Sequence, residues 1–184
     1  MNIQTPKLMT VDEYLIWAER HPGRHELING VVRQMAPETS DHAEAKYAAV
    51  TALKAAIKRA GIAAYAMPDG MTVRISKHVS FEPDALVYMA PKVSPNDVEI
   101  PNPIIIVEVG SPSTRGYDTG FKLPNYMSLP SVEHVLLVNA TAKIIIHHKR
   151  AVGGGVHSET ISDGILKLDP PGLEIPVADF FAFD

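Results

Sequence analysis

The sequence predicts an α+β domain built around a mixed, mostly antiparallel sheet. Two observations carry that expectation. Candidate elements run helix, hairpin, helix, strands, helix, strands, with no internal repeat and no interdomain linker. Ile104-Ile105-Ile106-Val107 is a continuous β-branched run, as expected of a strand covered on both faces in the middle of such a sheet. The 184 residues suffice for one domain, 1–184, with a core of its own.

Composition narrows the function classes. A hydrophobic content of 46% and a mean hydropathy of +0.02 are those of a soluble globular chain. No apolar run approaches the roughly 20 residues that span a bilayer, so no membrane association is expected. Residues 1–7 lack the apolar core of a signal peptide. The absence of cysteine removes disulfides and thiolate zinc sites, and a cytoplasmic location is expected. A net charge of −4 gives no global attraction to nucleic acid, so any DNA contact must come from a local basic patch.

Thr10-Val11-Asp12-Glu13 is a capping box, and Tyr14, Leu15, Trp17 and Ala18 follow as a helical apolar stripe ended by His21-Pro22-Gly23. Asn29-Gly30 between apolar runs predicts a hairpin, with Glu26 on its first strand. Ser40 or Asp41 can cap a helix from about His42 to Ala60, closed by Gly61. Ala-rich spacing with Tyr47, Val50, Leu53 and Ile57 supplies its apolar stripe. Lys46, Lys54, Lys58 and Arg59 make the other side basic, either a solvated face or a phosphate-contacting one. Strands at 63–67 and 71–75 are joined by a Pro68-Asp69-Gly70 turn. Pro83 opens a strand running to Met89 and places Asp84 among its first residues.

The loop 91–103 leads into the central strand, which ends at Glu108 and a Gly110-Ser111-Pro112 turn. Residues 118–129 read as a helix. Pro124 requires either an irregular first turn or a regular helix that begins there. Strands at 134–139 and 143–148 follow, then a glycine tip at 153–155, strands at 156–161 and 165–168, and a closing turn at 177–183 anchored by Phe180 and Phe181. His147 and His148 are strand neighbours facing opposite sides, so they cannot chelate one metal together. Ser111 and Ser113 lack a nucleophile-elbow context and read as turn caps; Gly153-Gly154-Gly155 lacks the lysine of a phosphate loop. The late strands carry more apolar surface than a small core needs, which points to a two-fold dimer interface.

Glu108 carries the chemistry. A carboxylate ending a buried strand costs several kcal/mol unless a cation, a hydrogen-bond cage or a metal compensates. The alternative is a Glu108 solvated in the following turn. Asp84 opens one core strand and Glu108 ends the next, so both can reach one rim, where their repulsion favours Mg²⁺ or Mn²⁺. Lys122 has Asp118 and Tyr126 four positions away on either side, hence on one helical face. An acidic pair with a lysine is the kit of metal-assisted phosphodiester cleavage.

Glu26-Leu27-Ile28-Asn29-Gly30, His42, Pro83-Asp84, the run from Glu108 to Thr114, and Asp118…Lys122…Tyr126 together resemble the Uma-type restriction endonuclease family of the PD-(D/E)XK nuclease superfamily. Pro171-Gly172-Leu173…Asp179-Phe180-Phe181 extends the resemblance over nearly the whole chain. It implies a restriction-endonuclease-like mixed sheet flanked by helices, with an extra N-terminal helix and hairpin and C-terminal antiparallel strands. It implies Asp84 and Glu108 as the motif acids; their convergence predicts one divalent-cation site formed by both carboxylates and the Val109 carbonyl. Gly110 stands where the superfamily's usual lysine would be, so the lysine maps to Lys122. Glu26 becomes a further acidic group near the metal, and His42, Tyr126 and Ser111 become substrate-facing. The expectation is a Mg²⁺- or Mn²⁺-dependent, homodimeric DNA endonuclease. The rival is a non-catalytic dimeric nucleic-acid-binding or scaffold module that keeps the fold.

Overall fold

The computed structural model describes residues 8–110, 116 and 118–182, with only the backbone of Asp118 and Thr119. Helix α1, Val11–Ala18, begins at the anticipated capping box: Thr10 Oγ1 accepts from the Glu13 amide at 3.2 Å, and Glu13 Oε2 accepts from the Thr10 amide at 2.9 Å. Strands β1, His25–Ile28, and β2, Val31–Gln34, pair antiparallel across Asn29 and Gly30, at φ 51° and 77°. Both signs suit Asn-Gly, and a Cβ on Gly30 would meet Leu8 Cβ at 2.6 Å.

Helix α2, Ser40–Ala60, is capped by Thr39, one residue ahead of the anticipated Ser40, and stops at Gly61 in the left-handed region, φ 64°. Its buried face is the anticipated one except at Tyr47: Val50 and Leu53 are buried and Ile57 packs against the core. Tyr47 is 76% exposed, whereas Ala45, Ala48, Ala49, Ala52 and Ala56 are buried with Val50 and Leu53. Spacing alone places Tyr47 on this stripe, but the face that lies against the sheet is lined by the alanines with Val50 and Leu53. The helix packs on β3 (Ala64–Pro68), β6 (Ala85–Met89), β7 (Pro103–Val109) and β12 (Leu173–Pro176).

Three further strands precede or follow these: β4 (Val73–Ser76), β5 (Val79–Phe81) and β11 (Ile165–Leu168). Strands β8 (His134–Asn139), β9 (Ile144–Arg150) and β10 (Val156–Ile161) complete the set. A six-stranded sheet has the order β10-β9-β8-β7-β6-β3, in which only β7 and β8 are parallel. A four-stranded antiparallel sheet has the order β2-β1-β5-β4, and β11 pairs with β12. The two strands anticipated on either side of Pro68-Asp69-Gly70 both form, as β3 and β4, but they belong to different sheets and do not pair. Strands β5 and β12 escape the sequence reading. The first spans three residues and has no period to detect; the second is hemmed in by Pro170, Pro171 and Pro176.

The parallel crossover from β7 to β8 passes through a π-helical turn, Asp118–Lys122, and helix α3, Leu123–Ser128. Pro124 is the second residue of α3, where no amide donor is needed, and the irregular turn lies just ahead of it. Strand β7 is central, and its residues alternate: Ile105, Val107 and Val109 join the core under α2, whereas Ile106 faces a second core with Phe81, Leu86 and Tyr126. Val135, Leu136, Leu137 and Val138 of β8 and Ile145 of β9 are buried between these layers within the same chain. These positions are therefore covered by the chain's own core, whereas Ile144 and Ile146 of β9 are only partly buried. His147 and His148 have separate partners, as anticipated: His147 meets His134 (2.9 Å) and His148 meets Ser158 (2.7 Å). Among the described residues no helix is long and apolar enough to cross a membrane.

Candidate active site

The alternation of β7 decides where Glu108 goes. As an even-numbered residue it shares the face of Ile106 and is 5% exposed, so the buried alternative holds and the solvated one does not. A hydrogen-bond cage replaces its water. Tyr126 donates its hydroxyl to Oε1 at 2.6 Å, and Lys122 Nζ donates to the same oxygen at 3.1 Å. Four residues apart, at the junction of the π turn and α3, both side chains reach the same point. Lys122 also contacts Glu26 Oε1 at 2.8 Å and lies 5.6 Å from the centre of the Phe81 ring. Glu26 arrives from β1 and accepts from the Glu82 amide at 3.2 Å. The two sheets thus meet through one lysine bridging one glutamate from each.

Asp84 sits just ahead of β6 and is 4% exposed. Its Oδ2 accepts from the Val109 amide at 2.7 Å, which ties it to the residue after Glu108. The Val109 carbonyl accepts from His42 Nε2 at 2.7 Å, and His42 Nδ1 lies 3.1 Å from Glu38 Oε2. His42 Nε2 is 3.8 Å from Asp84 Oδ2. Lys46, one turn later in α2, brings Nζ to 2.5 Å from Asp69 Oδ2 and 3.7 Å from Asp84 Oδ1, and pairs directly with Glu38. Arg24 backs this group, donating from Nε to Glu82 at 2.7 Å and approaching Asp69 at 3.3 Å.

Burial dominates the electrostatics. It pushes the carboxyl of Glu108 up from the usual range; Lys122 opposes this, while Asp84 and Glu26 add to it. Burial likewise raises Asp84, against the pull of the Val109 amide. For Lys122 burial works toward the neutral amine, yet Glu108 and Glu26 outweigh it and hold the ammonium firmly charged. The Tyr126 hydroxyl is raised well above its ordinary value by burial and Glu108, so it remains a donor.

The family model described as "Putative restriction endonuclease" (Uma2) matches residues 11–178. The chain belongs to the Uma2 family. Two uncharacterized proteins of Synechocystis sp. are similar to it: slr1290, 29% identical over 94% of this chain and 90% of its own length, and sll1609, 27% identical over 82% and 85%. A crystal structure from Anabaena variabilis, described as "a putative nuclease belonging to DUF820", superposes with a TM-score of 0.71 at 17% identity, covering 95% of this chain and 98% of that one. The fold is restriction-endonuclease-like.

Most of the residues singled out from this Uma2 sequence converge: Glu26, His42, Asp84, Glu108, Val109, Lys122 and Tyr126 form one connected network. Ser111 lies outside the described residues, as does the side chain of Asp118. Lys46, Arg24, Glu38, Asp69 and Glu82 join this network without having been singled out from the sequence, which groups Lys46 with Lys54, Lys58 and Arg59 as a basic face. Lys46 is 5% exposed, and the usable signal was its spacing of four from His42 along one helix.

The donors suit a hard divalent cation: carboxylates of Asp84 and Glu108 and the carbonyl of Val109, all oxygen, on one rim. Among the described residues no three His, Asp or Glu side chains stand ready to hold a metal. Mg²⁺ does not require that, since it is commonly held by one or two carboxylates with water and phosphate completing the shell.

Proposed function

We propose that this chain is a Mg²⁺- or Mn²⁺-dependent DNA endonuclease, acting in the cytoplasm as a homodimer. The observation that carries the proposal is the buried Lys122 ammonium, 3.1 Å from Glu108 and 2.8 Å from Glu26. It supplies from the helix the cation that Gly110 does not. Asp84, Glu108 and the Val109 carbonyl would hold the cation, which when bound supplies Lewis acidity and a template for water and phosphate. Lys122 stabilises negative charge developing on the scissile phosphate. Glu26 and Tyr126 fix the positions of Lys122 and Glu108, and His42 fixes the Val109 carbonyl. A two-fold dimer presents one site to each strand of a duplex, and light scattering at twice 20.0 kDa would accord with it.

Incubation with supercoiled plasmid tests the activity. Nicked and linear products are expected with Mg²⁺ or Mn²⁺, none with chelator, and none from Asp84→Asn. Intact plasmid under every metal condition would overturn the proposal. That result would favour the rival, a non-catalytic scaffold module that keeps the fold, with which the net charge of −4 accords.

A further inference from the structure

Lys46 is a buried cation with no part in the chemistry described so far. Its side chain is 6% exposed, and Nζ lies within a ring of three carboxylates. Asp69 Oδ2 is at 2.5 Å, Glu38 is in direct contact, and Asp84 Oδ1 is at 3.7 Å. Asp84 therefore divides its two oxygens. Oδ2 accepts from the Val109 amide on the side of Glu108, and Oδ1 faces Lys46. Arg24 approaches the ring, with Nη1 3.3 Å from Asp69 and 3.7 Å from Glu38. In two-metal hydrolytic sites a pair of divalent cations sits about 3.5–4 Å apart. Asp84 offers such a bridge, yet the point its Oδ1 faces is filled by an ammonium tethered to α2.

We infer that Lys46 is a built-in cation in the place of a second metal, so that the chain takes up one divalent cation per site. The inference rests on the reading of Asp84 and Glu108 as metal ligands. The ammonium donates to Asp69 and Glu38 and faces Asp84 as a charge at 3.7 Å, and it cannot dissociate from the fold. Lys46 is thus a positioning residue: it orients Asp84 without touching the reacting atoms. Its removal leaves Glu38, Asp69 and Asp84 as oxygen donors for a hard cation.

Calorimetric titration with Mn²⁺, followed by electron paramagnetic resonance of the loaded protein, tests this. Wild type and Lys46→Arg should each bind one equivalent, with the spectrum of an isolated ion. Lys46→Ser should bind two, with spin coupling between them. Two coupled ions in wild type, or a single equivalent in folded Lys46→Ser, would overturn the inference. Should Lys46→Ser fail to fold, the wild-type stoichiometry decides. A wild type that binds no Mn²⁺ removes the metal reading itself, and the inference with it.

Discussion

Lys122 holds two buried carboxylates that belong to different sheets, so its removal has a structural and a chemical consequence. Lys122→Ala leaves Glu26 and Glu108 without their cation, and uncompensated charge of that kind costs about 3–5 kcal/mol. The loss of unfolding free energy should appear in urea titration. In the plasmid assay the same variant should cut at least about 10²-fold more slowly while still binding Mn²⁺. Lys122→Arg should recover stability better than rate, because a planar guanidinium restores charge without reproducing a compact ammonium. A Lys122→Ala protein that nicks plasmid like wild type would reduce the lysine to a structural strut.

The elements aim these side chains, and α2 does so through its small residues. Five buried alanines let the helix lie close enough to the sheet for His42 to reach the Val109 carbonyl and Lys46 to approach Asp84. Ala49 is fully buried in the core between α2 and that sheet, where added bulk has no room. Ala49→Leu should destabilise by about 1–3 kcal/mol through overpacking. It should also weaken Mn²⁺ binding, by moving α2 away from Asp84; unchanged affinity in the destabilised variant would separate helix docking from the site. The end of α2 is set differently. Gly61 adopts φ 64°, and a methyl group added there would meet nothing within 4 Å. Gly61→Ala should therefore cost only the conformational penalty, about 1–2 kcal/mol, and leave metal affinity alone.

At the scale of the whole molecule, three histidines couple stability to pH. His134 is fully buried, its Nε2 donating to the Pro170 carbonyl at 2.8 Å, which fastens the β11–β12 connection to the large sheet. Burial pushes His134 down from 6.5 to about 4, and lowers His147 and His148 as well. The folded state therefore binds this proton less readily than the unfolded chain. The contribution of His134 is fully present above pH 6.5 and is lost as pH falls toward 4, on the order of 3 kcal/mol in all. Asp84 and Glu108 act with the opposite sign: their folded values are raised, so protonation favours the folded state. Urea unfolding of wild type and His134→Asn at several pH values between 7.5 and 4.5 isolates the histidine. The stability gap between them should narrow as pH falls, and a gap constant with pH would reject the assignment.

Features written in short stretches were legible from the sequence by itself. The Thr10–Glu13 box, the Asn29-Gly30 hairpin, the Gly61 stop and the central strand 103–109 depend on neighbours within a few positions. So does the pairing of Lys122 with Tyr126 four residues on. The acidic pair of Asp84 and Glu108 was an expectation from the residues, and the family resemblance added Glu26 to it. Tertiary structure alone decided the rest. Whether Lys46 or Tyr47 is buried depends on which strands cover α2, and a helical pattern of alanines, lysines and one tyrosine fits more than one rotation. Strands β3 and β4 lie on either side of a turn, yet they separate because β3 finds a partner in β6 and β4 in β5. The β8 run looked surplus only until β7 and β9 flanked it and cores formed on both faces of the sheet. Burial is a property of what lies across from a residue, and partners distant in the chain leave no period in the local sequence.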